Sequence, residues 1–310
     1  MIRSHLSSFT GLPVLPFTPG MVLPEDPSAV AWRLEVEDFE ADPEEFAALV
    51  TALRAEVPAD AVRALVIGEW GSAYEEAPPI DLLVDAAQQW TSLRAIFLAD
   101  LVSEQCEISW LRHGDITPLL AAYPSLEVLW VRGANELRLD PVRHTGLREL
   151  VFQTGGLPGS VTRAVGGCDL PALERLELWL GRQDYGGDTT VDDLAEVLAG
   201  TRLPALRHLA VSNDAFADLT ARAVAAAPVV RQLEVLDLSK GVFTDAGAEA
   251  LLAGQPLTHL RRLDLHHHFL SESTRERIAA ALPGVEVDLS DPQTVETYNG
   301  REYRFTAVGE

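Results

Sequence analysis

The chain has 310 residues, with 24 Lys and Arg against 47 Asp and Glu, and a formal net charge of −23. That balance excludes general nucleic-acid binding, which needs cations to neutralise phosphates, and binding to anionic membranes; it favours a protein or peptide partner of basic character. Hydrophobic residues make up 47% of the chain, enough for a sizeable core, but no apolar stretch is long enough to span a bilayer.

The first 27 residues hold no basic-then-apolar signal pattern, so a cytoplasmic location is expected. Cys106 and Cys168 are far apart, in no metal-ligand spacing, and read as buried thiols. Lys240 is the only lysine, a bias of the kind a GC-rich bacterial gene produces.

From the N-terminus, residues 1–30 read as a cap segment, with the Pro-interrupted run 12–17 packing on the first repeat. A hexapeptide pattern then begins, weakly at Ala31-x-x-Leu34-x-Val36 and Val62-x-x-Leu65-x-Ile67. It is clear at Leu93-x-x-Ile96-x-Leu98, Leu126-x-x-Leu129-x-Val131, Leu147-x-x-Leu150-x-Phe152 and Leu173-x-x-Leu176-x-Leu178. Further copies are Leu206-x-x-Leu209-x-Val211, Leu233-x-x-Leu236-x-Leu238 and Leu260-x-x-Leu263-x-Leu265, with a weak last one at Leu282-x-x-Val285-x-Val287. One such hexapeptide says little, whereas ten at near-regular spacing mark a repeat array. Between them, helical periodicity is expected over 43–57, 79–90, 117–123, 191–199, 219–227, 245–253 and 273–282, with Thr244 and Ser271 as N-caps. The Gly-rich stretch 154–171 reads as a loop where a helix should stand, and 181–189 as a second loop at the rim of a binding face. Residues 291–310 read as a C-terminal capping hairpin turning at Asn299-Gly300.

A strand followed by a crossover helix, repeated, requires parallel strands, and only stacking lets each unit bury its apolar edge. The fold class is therefore α/β, a leucine-rich-repeat solenoid of about ten units over 31–290, with a parallel concave sheet and convex helices. Leu236-Asp237-Leu238-Ser239, followed by Phe243-Thr244-Asp245-Ala246-Gly247 and Leu251, resembles the ribonuclease-inhibitor type of leucine-rich repeat. The whole chain is also similar to uncharacterised bacterial leucine-rich-repeat proteins. The resemblance implies a horseshoe and a binding role; the lack of Asn at most turn positions implies irregular curvature.

Strand alternation sends the residues between the leucines outward. One outward row reads Glu35, Val66, Phe97, Trp130, Val151, Glu177, Ala210, Asp237, Asp264 and Glu286. The next holds Arg132, Gln153, Trp179, His266 and Asp288. Phe97, Trp130 and Trp179 are candidate interface aromatics, with Arg132 and Gln153 beside them. Asp237, Asp264 and Glu286 on three successive strands, with Asp288 nearby, form an acidic row suited to a basic partner and screened by Arg262 and His266; Glu177 and His266 are further candidate contacts. His266 with Asp237 and Asp264 offers an alternative, an accessory subunit or metal-assisted enzyme. A third reading is a scaffold whose helices make the contacts. No Walker loop, dinucleotide fingerprint, nucleophile elbow or zinc-protease motif occurs, so neither cofactor nor catalytic residue is expected.

Overall fold

The computed structural model describes residues 2–309. The chain forms two compact units, one running to Gln153 with Cys168–Leu170 added, the other comprising Thr154–Gly167 and Pro171–Gly309.

The first unit opens on a short antiparallel pair, β1 (Ser8–Phe9) and β2 (Leu12–Pro16). Parallel strands come next: β3 (Ala31–Leu34), β4 (Ala64–Ile67), β5 (Ala95–Leu98), β6 (Val128–Arg132) and β7 (Glu149–Gln153). Their crossovers include helices α1 (Pro43–Glu56), α2 (Ile80–Asp85) and α3 (Thr117–Ala122). β2 pairs in parallel with β3, so the sheet begins inside the segment expected to be only a cap. The inward leucine positions are filled by Trp32 and Leu34, Leu65 and Ile67, Ile96 and Leu98, and Leu129 and Val131, all fully buried.

The second unit carries α4 (Gly159–Gly167), β8 (Arg175–Gly181), α5 (Ala195–Ala199), β9 (His208–Asp214) and α6 (Ala217–Val224). It continues with β10 (Val235–Asp237), α7 (Asp245–Ala253), β11 (Arg262–Asp264), α8 (Glu272–Ala281) and β12 (Glu286–Asp288). Strands β8 to β12 pair in sequence order, all parallel. A separate hairpin, β13 (Glu296–Tyr298) and β14 (Arg301–Tyr303), turns at Asn299 and Gly300, both at positive φ as its tight turn demands. Thr244 and Ser271 cap α7 and α8, each accepting a hydrogen bond from a first-turn N–H. Both units thus show the leucine-rich-repeat pattern of parallel strand and crossover. Among the described residues no helix is long and apolar enough to cross a membrane.

Three expectations need correction. The stretch expected to be a loop contains α4, whose Val161, Thr162, Ala164 and Val165 are buried. Its glycines serve close packing: a Cβ at Gly166 would lie 2.8 Å from Glu196 Cβ, and one at Gly159 would lie 2.9 Å from Asp193 Oδ2. The other two corrections concern register at the weak end copies. Trp32, not Leu34, pairs with Leu65, and Val287, not Val285, pairs with Leu263. Both copies are displaced by two residues, which keeps side chains on the expected face but changes their neighbours. Arg33 therefore replaces Glu35 beside Val66, and Asp288 replaces Glu286 beside Asp264.

Candidate functional site

In the first unit the outward strand face is closed by the chain's own N-terminus. Phe97 and Phe9 are fully buried in a cluster with Ala31, Ala64, Val66, Ala95 and Val128, and half-buried Trp130, Leu6 and Leu12 pack against it. The ring of Phe9 lies 6.0 Å from Phe97 and 5.4 Å, edge-on, from Trp130. The aromatic platform points outward as alternation requires, but Phe9 covers it, so Phe97 offers a partner no surface.

Arg132 was expected beside that platform as a contact residue and is instead structural. It is 4% exposed, and its Nη1 donates to Asp100 Oδ1 at 2.9 Å. Arg33 Nη1 donates to Asp100 Oδ2 at 2.6 Å, and the Leu6 backbone N–H donates to the same oxygen. Asp100 has no exposed surface. Gln153 Oε1 accepts from Arg132 Nε at 3.0 Å, so this side chain is also committed. The Arg33–Asp100–Arg132 bracket lies where the N-terminal arm crosses the strand ends, and hexapeptide spacing carries no signal for it.

The second unit keeps a more open face. Glu177 pairs with Ala210, Ala210 with Asp237, Asp237 with Asp264 and Asp264 with Asp288 across neighbouring strands. Glu177 is buried: Arg175 Nη2 donates to one of its oxygens and Trp179 Nε1 to the other, each at 2.6 Å. Against the cost of burial, these partners hold the Glu177 carboxyl below its usual range. Trp179, expected to be an exposed contact, is 7% exposed, with the Lys240 ammonium 5.3 Å from its ring centre.

Each aspartate of the row has a local job. Asp237 accepts from the Ser239 backbone N–H, Asp264 from that of His266 and Asp288 from that of Ser290, at 2.8–3.0 Å. The carboxylate closes a turn onto its own backbone two residues on, ending each strand alike. Two of the three are also ion-paired. Arg262 Nη2 reaches Asp264 Oδ2 and Asp288 Oδ2, both at 2.9 Å, and its Nη1 reaches the exposed Glu286 at 3.0 Å. Asp237 differs. Half-buried, it has no salt bridge among the described residues, and its hydrogen bonds come from Ser239, backbone and side chain. Burial, together with Asp264 alongside, pushes its carboxyl up against the pull of Lys240 and Ser239.

The potential ligand atoms of Asp264, His266 and Asp288 lie within 4.8 Å of one another; Asp237, expected to complete a metal trio with Asp264 and His266, is not in that group. The three are already engaged. His266 Nδ1 lies 2.7 Å from Asp264 Oδ1, Arg262 donates to Asp264 Oδ2 and Asp288 Oδ2, and Ser290 donates to Asp288 Oδ1. The hydrogen bond to Asp264 raises the His266 pKa. Asp264, despite burial, is held well below the usual carboxylate range by the side chain and backbone of His266. The Arg262 guanidinium bridges the two carboxylates of the group.

The loop expected at the rim borders a cavity of about 330 Å³, lined by Gln183, Thr189 and Thr190 with Asp214, Phe216 and Leu219. Asp214 is 2% exposed and accepts from the Phe216 N–H and the Thr220 hydroxyl.

No protein-family model matches the chain, and a search of curated proteins gives no match. Among solved structures, the chain is similar to a Bacteroides fragilis protein from a structural-genomics programme, with 29% identity and a TM-score of 0.79. That match covers 89% of this chain and 76% of the other. Looser matches include a leucine-rich-repeat protein of Leptospira interrogans, at 18% identity and TM-score 0.38 over 84% of this chain and 61% of that one. An internalin of Listeria monocytogenes matches at 16% and 0.31, over 75% and 73%.

Proposed function

We propose that this leucine-rich-repeat chain is a non-catalytic binding module that takes a basic protein segment or peptide on the strand face of its second unit, with Asp237 as central anchor. The observation that carries the reading is the state of Asp237. It is the one aspartate of the row with no salt bridge among the described residues, and the Asp264 carboxylate stands beside it on the next strand. Like charges about 5 Å apart repel by roughly 0.8 kcal/mol per pair even at the dielectric of water. An incoming Lys or Arg relieves that repulsion and regains part of the desolvation cost. The net charge of −23 adds long-range attraction for such a partner. Glu286 and Asp288 at the outer end, and His266 between, extend the face along the segment's path. Phe97, Trp130, Arg132, Gln153 and Trp179 are left out of the site because their own chain already occupies them.

The test is selection of random peptides on the purified protein, with affinities then measured for wild type and Asp237→Asn. Selected peptides should be enriched in Arg and Lys, lose at least tenfold in affinity to Asp237→Asn, and weaken as salt rises. Enrichment of uncharged peptides, or equal affinity for both proteins, would refute the acidic-face reading.

A further inference from the structure

Beyond the β13–β14 hairpin the chain returns to the second unit and lies across the ends of three successive strands. Each of those ends has a residue in the left-handed conformation: Asn213 at φ 53°, Lys240 at φ 64° and His267 at φ 57°. They are spaced 27 residues apart, one per repeat. Each one's N–H is already bound to the next repeat: Asn213 donates to Ser239 O, Lys240 to His266 O and His267 to Ser290 O. The repeats themselves therefore set the geometry of this ladder. Left-handed non-glycine residues are strained and persist where the surrounding structure fixes them.

The C-terminal segment is received at all three positions. Phe305 O accepts from His267 Nε2 at 3.0 Å, and Ala307 N–H donates to Lys240 O at 2.8 Å. Val308 is gripped at both backbone groups by one amide: its N–H donates to Asn213 Oδ1 at 2.9 Å and its carbonyl accepts from Nδ2 at 2.6 Å. Asn213 is fully buried, and its amide also donates to Thr154 O at 3.1 Å. Val308 and Thr306 are buried, and Phe305 lies under the Arg182 guanidinium. The spacing fits an extended chain. From residue 305 to 308 is three residues, about 10 Å at strand pitch, and from His267 to Asn213 is two strand spacings, about 9.6 Å.

Two features separate this arrangement from ordinary core packing. Its hydrogen bonds are made to the backbone of the segment, a mode of recognition that reads extended conformation and leaves sequence to a few pockets. In addition, all six strand residues of the hairpin that leads into the segment are exposed, so the tether can move without breaking the repeats. We propose that the Asn213–Lys240–His267 ladder is a peptide-binding groove, that residues 305–308 fill it in cis, and that a partner segment of pattern Phe-x-x-Val displaces them in extended form. A short tether gives the resident segment a local concentration in the millimolar range, which sets the competition a partner must meet.

The experiment uses the full chain. Val308→Asp places a charge in the buried position and releases the segment. The probe is a fluorescein-labelled, C-terminally amidated peptide Phe-Thr-Ala-Val-Gly, followed by fluorescence anisotropy. Val308→Asp should bind it at least tenfold more tightly than wild type, and adding Asn213→Ala should remove that binding. A folded Val308→Asp protein that ignores the peptide, or binds it equally with and without Asn213, overturns the proposal. So does loss of the folded state on Val308→Asp, which would make the segment integral to the core. Hydrogen exchange on wild type gives an independent reading. The Ala307 and Val308 amides should exchange at least a hundredfold faster than those of Leu238 and Leu265, which bond between strands; equal protection overturns it as well. Because the peptide portion is neutral, this groove and the acidic face at Asp237 succeed or fail separately.

Discussion

Asp100 is fully buried between Arg33 and Arg132, and taking three charges out of water is costly even when they meet. The cluster persists because the charges are also hydrogen-bonded, to the Leu6 N–H and to the Asp100 and Leu101 carbonyls. Removing the central carboxylate leaves the buried Arg132 guanidinium without its Asp100 partner and Arg33 with Glu35 alone. Asp100→Asn should therefore destabilise the chain by about 3–5 kcal/mol, measured as a lowered urea midpoint. His113 makes a different residue-scale prediction. It is 1% exposed, its Nε2 donates to Arg132 O at 2.7 Å, and its Nδ1 has no partner among the described residues. Burial lowers its pKa to about 4, so between there and about 6.5 the unfolded chain binds a proton that the folded chain refuses. Stability should fall as pH drops through that window, by up to roughly 3 kcal/mol from this group. Urea titrations at pH 7 and 4.5 should show wild type losing more than His113→Gln; equal losses would place the acid sensitivity elsewhere. His266 carries the opposite sign. Its raised pKa means that its pairing with Asp264 stabilises below about 6.5 and fades as pH rises through the higher folded value.

At the scale of elements, the N-terminal arm decides whether the first unit has a face. Phe9→Ala should uncover Phe97 and Trp130, cost about 3–5 kcal/mol, and bring on binding of an apolar-surface dye. An unchanged melt with no dye binding would mean that the arm rests on the sheet without closing it. Here the limits of the sequence are clear. Strands with two inward leucines, such as Leu236 and Leu238, announce their own register, because a slip would put both leucines in water. At Trp32 and Val287 one anchor is not leucine, and a two-residue displacement leaves the hydrophobic pattern equally well satisfied. The α4 helix was hidden because its glycines, needed where Glu196 and Asp193 come close, are the residues that ordinarily signal a loop. The acidic row was legible, and so in principle was its local cause. Asp237-Leu-Ser239, Asp264-Leu-His266 and Asp288-Leu-Ser290 repeat an aspartate two residues before the N–H it accepts. Which aromatics would be covered was not legible, since that depends on where a terminal segment of irregular sequence lies in space.

For the molecule as a whole, a charge of −23 on 310 residues is self-repulsive. Exposed ion pairs such as Arg261–Glu234 and Arg277–Glu249 offset little of it, since surface pairs contribute about 0–1 kcal/mol each. Added salt screens the repulsion more than it weakens those pairs. The melting temperature should rise between 20 mM and 500 mM sodium chloride; a fall would mean that ion pairs outweigh the repulsion. The ladder at Asn213, Lys240 and His267 has a further consequence, for how such a chain can change in length. Solenoids ordinarily gain and lose repeats freely, because each unit answers only to its neighbours. Here the returning segment acts as a gauge. One extra 27-residue unit between Asn213 and His267 adds a single strand spacing, which an extended chain crosses in about one and a half residues. No whole number of added residues then restores both the grip on Val308 and the side its side chain faces. Two extra units with three extra tail residues restore the distance but turn Val308 to the opposite face, whereas about four units with about six residues restore both. Insertions that preserve the fit should therefore come in fours.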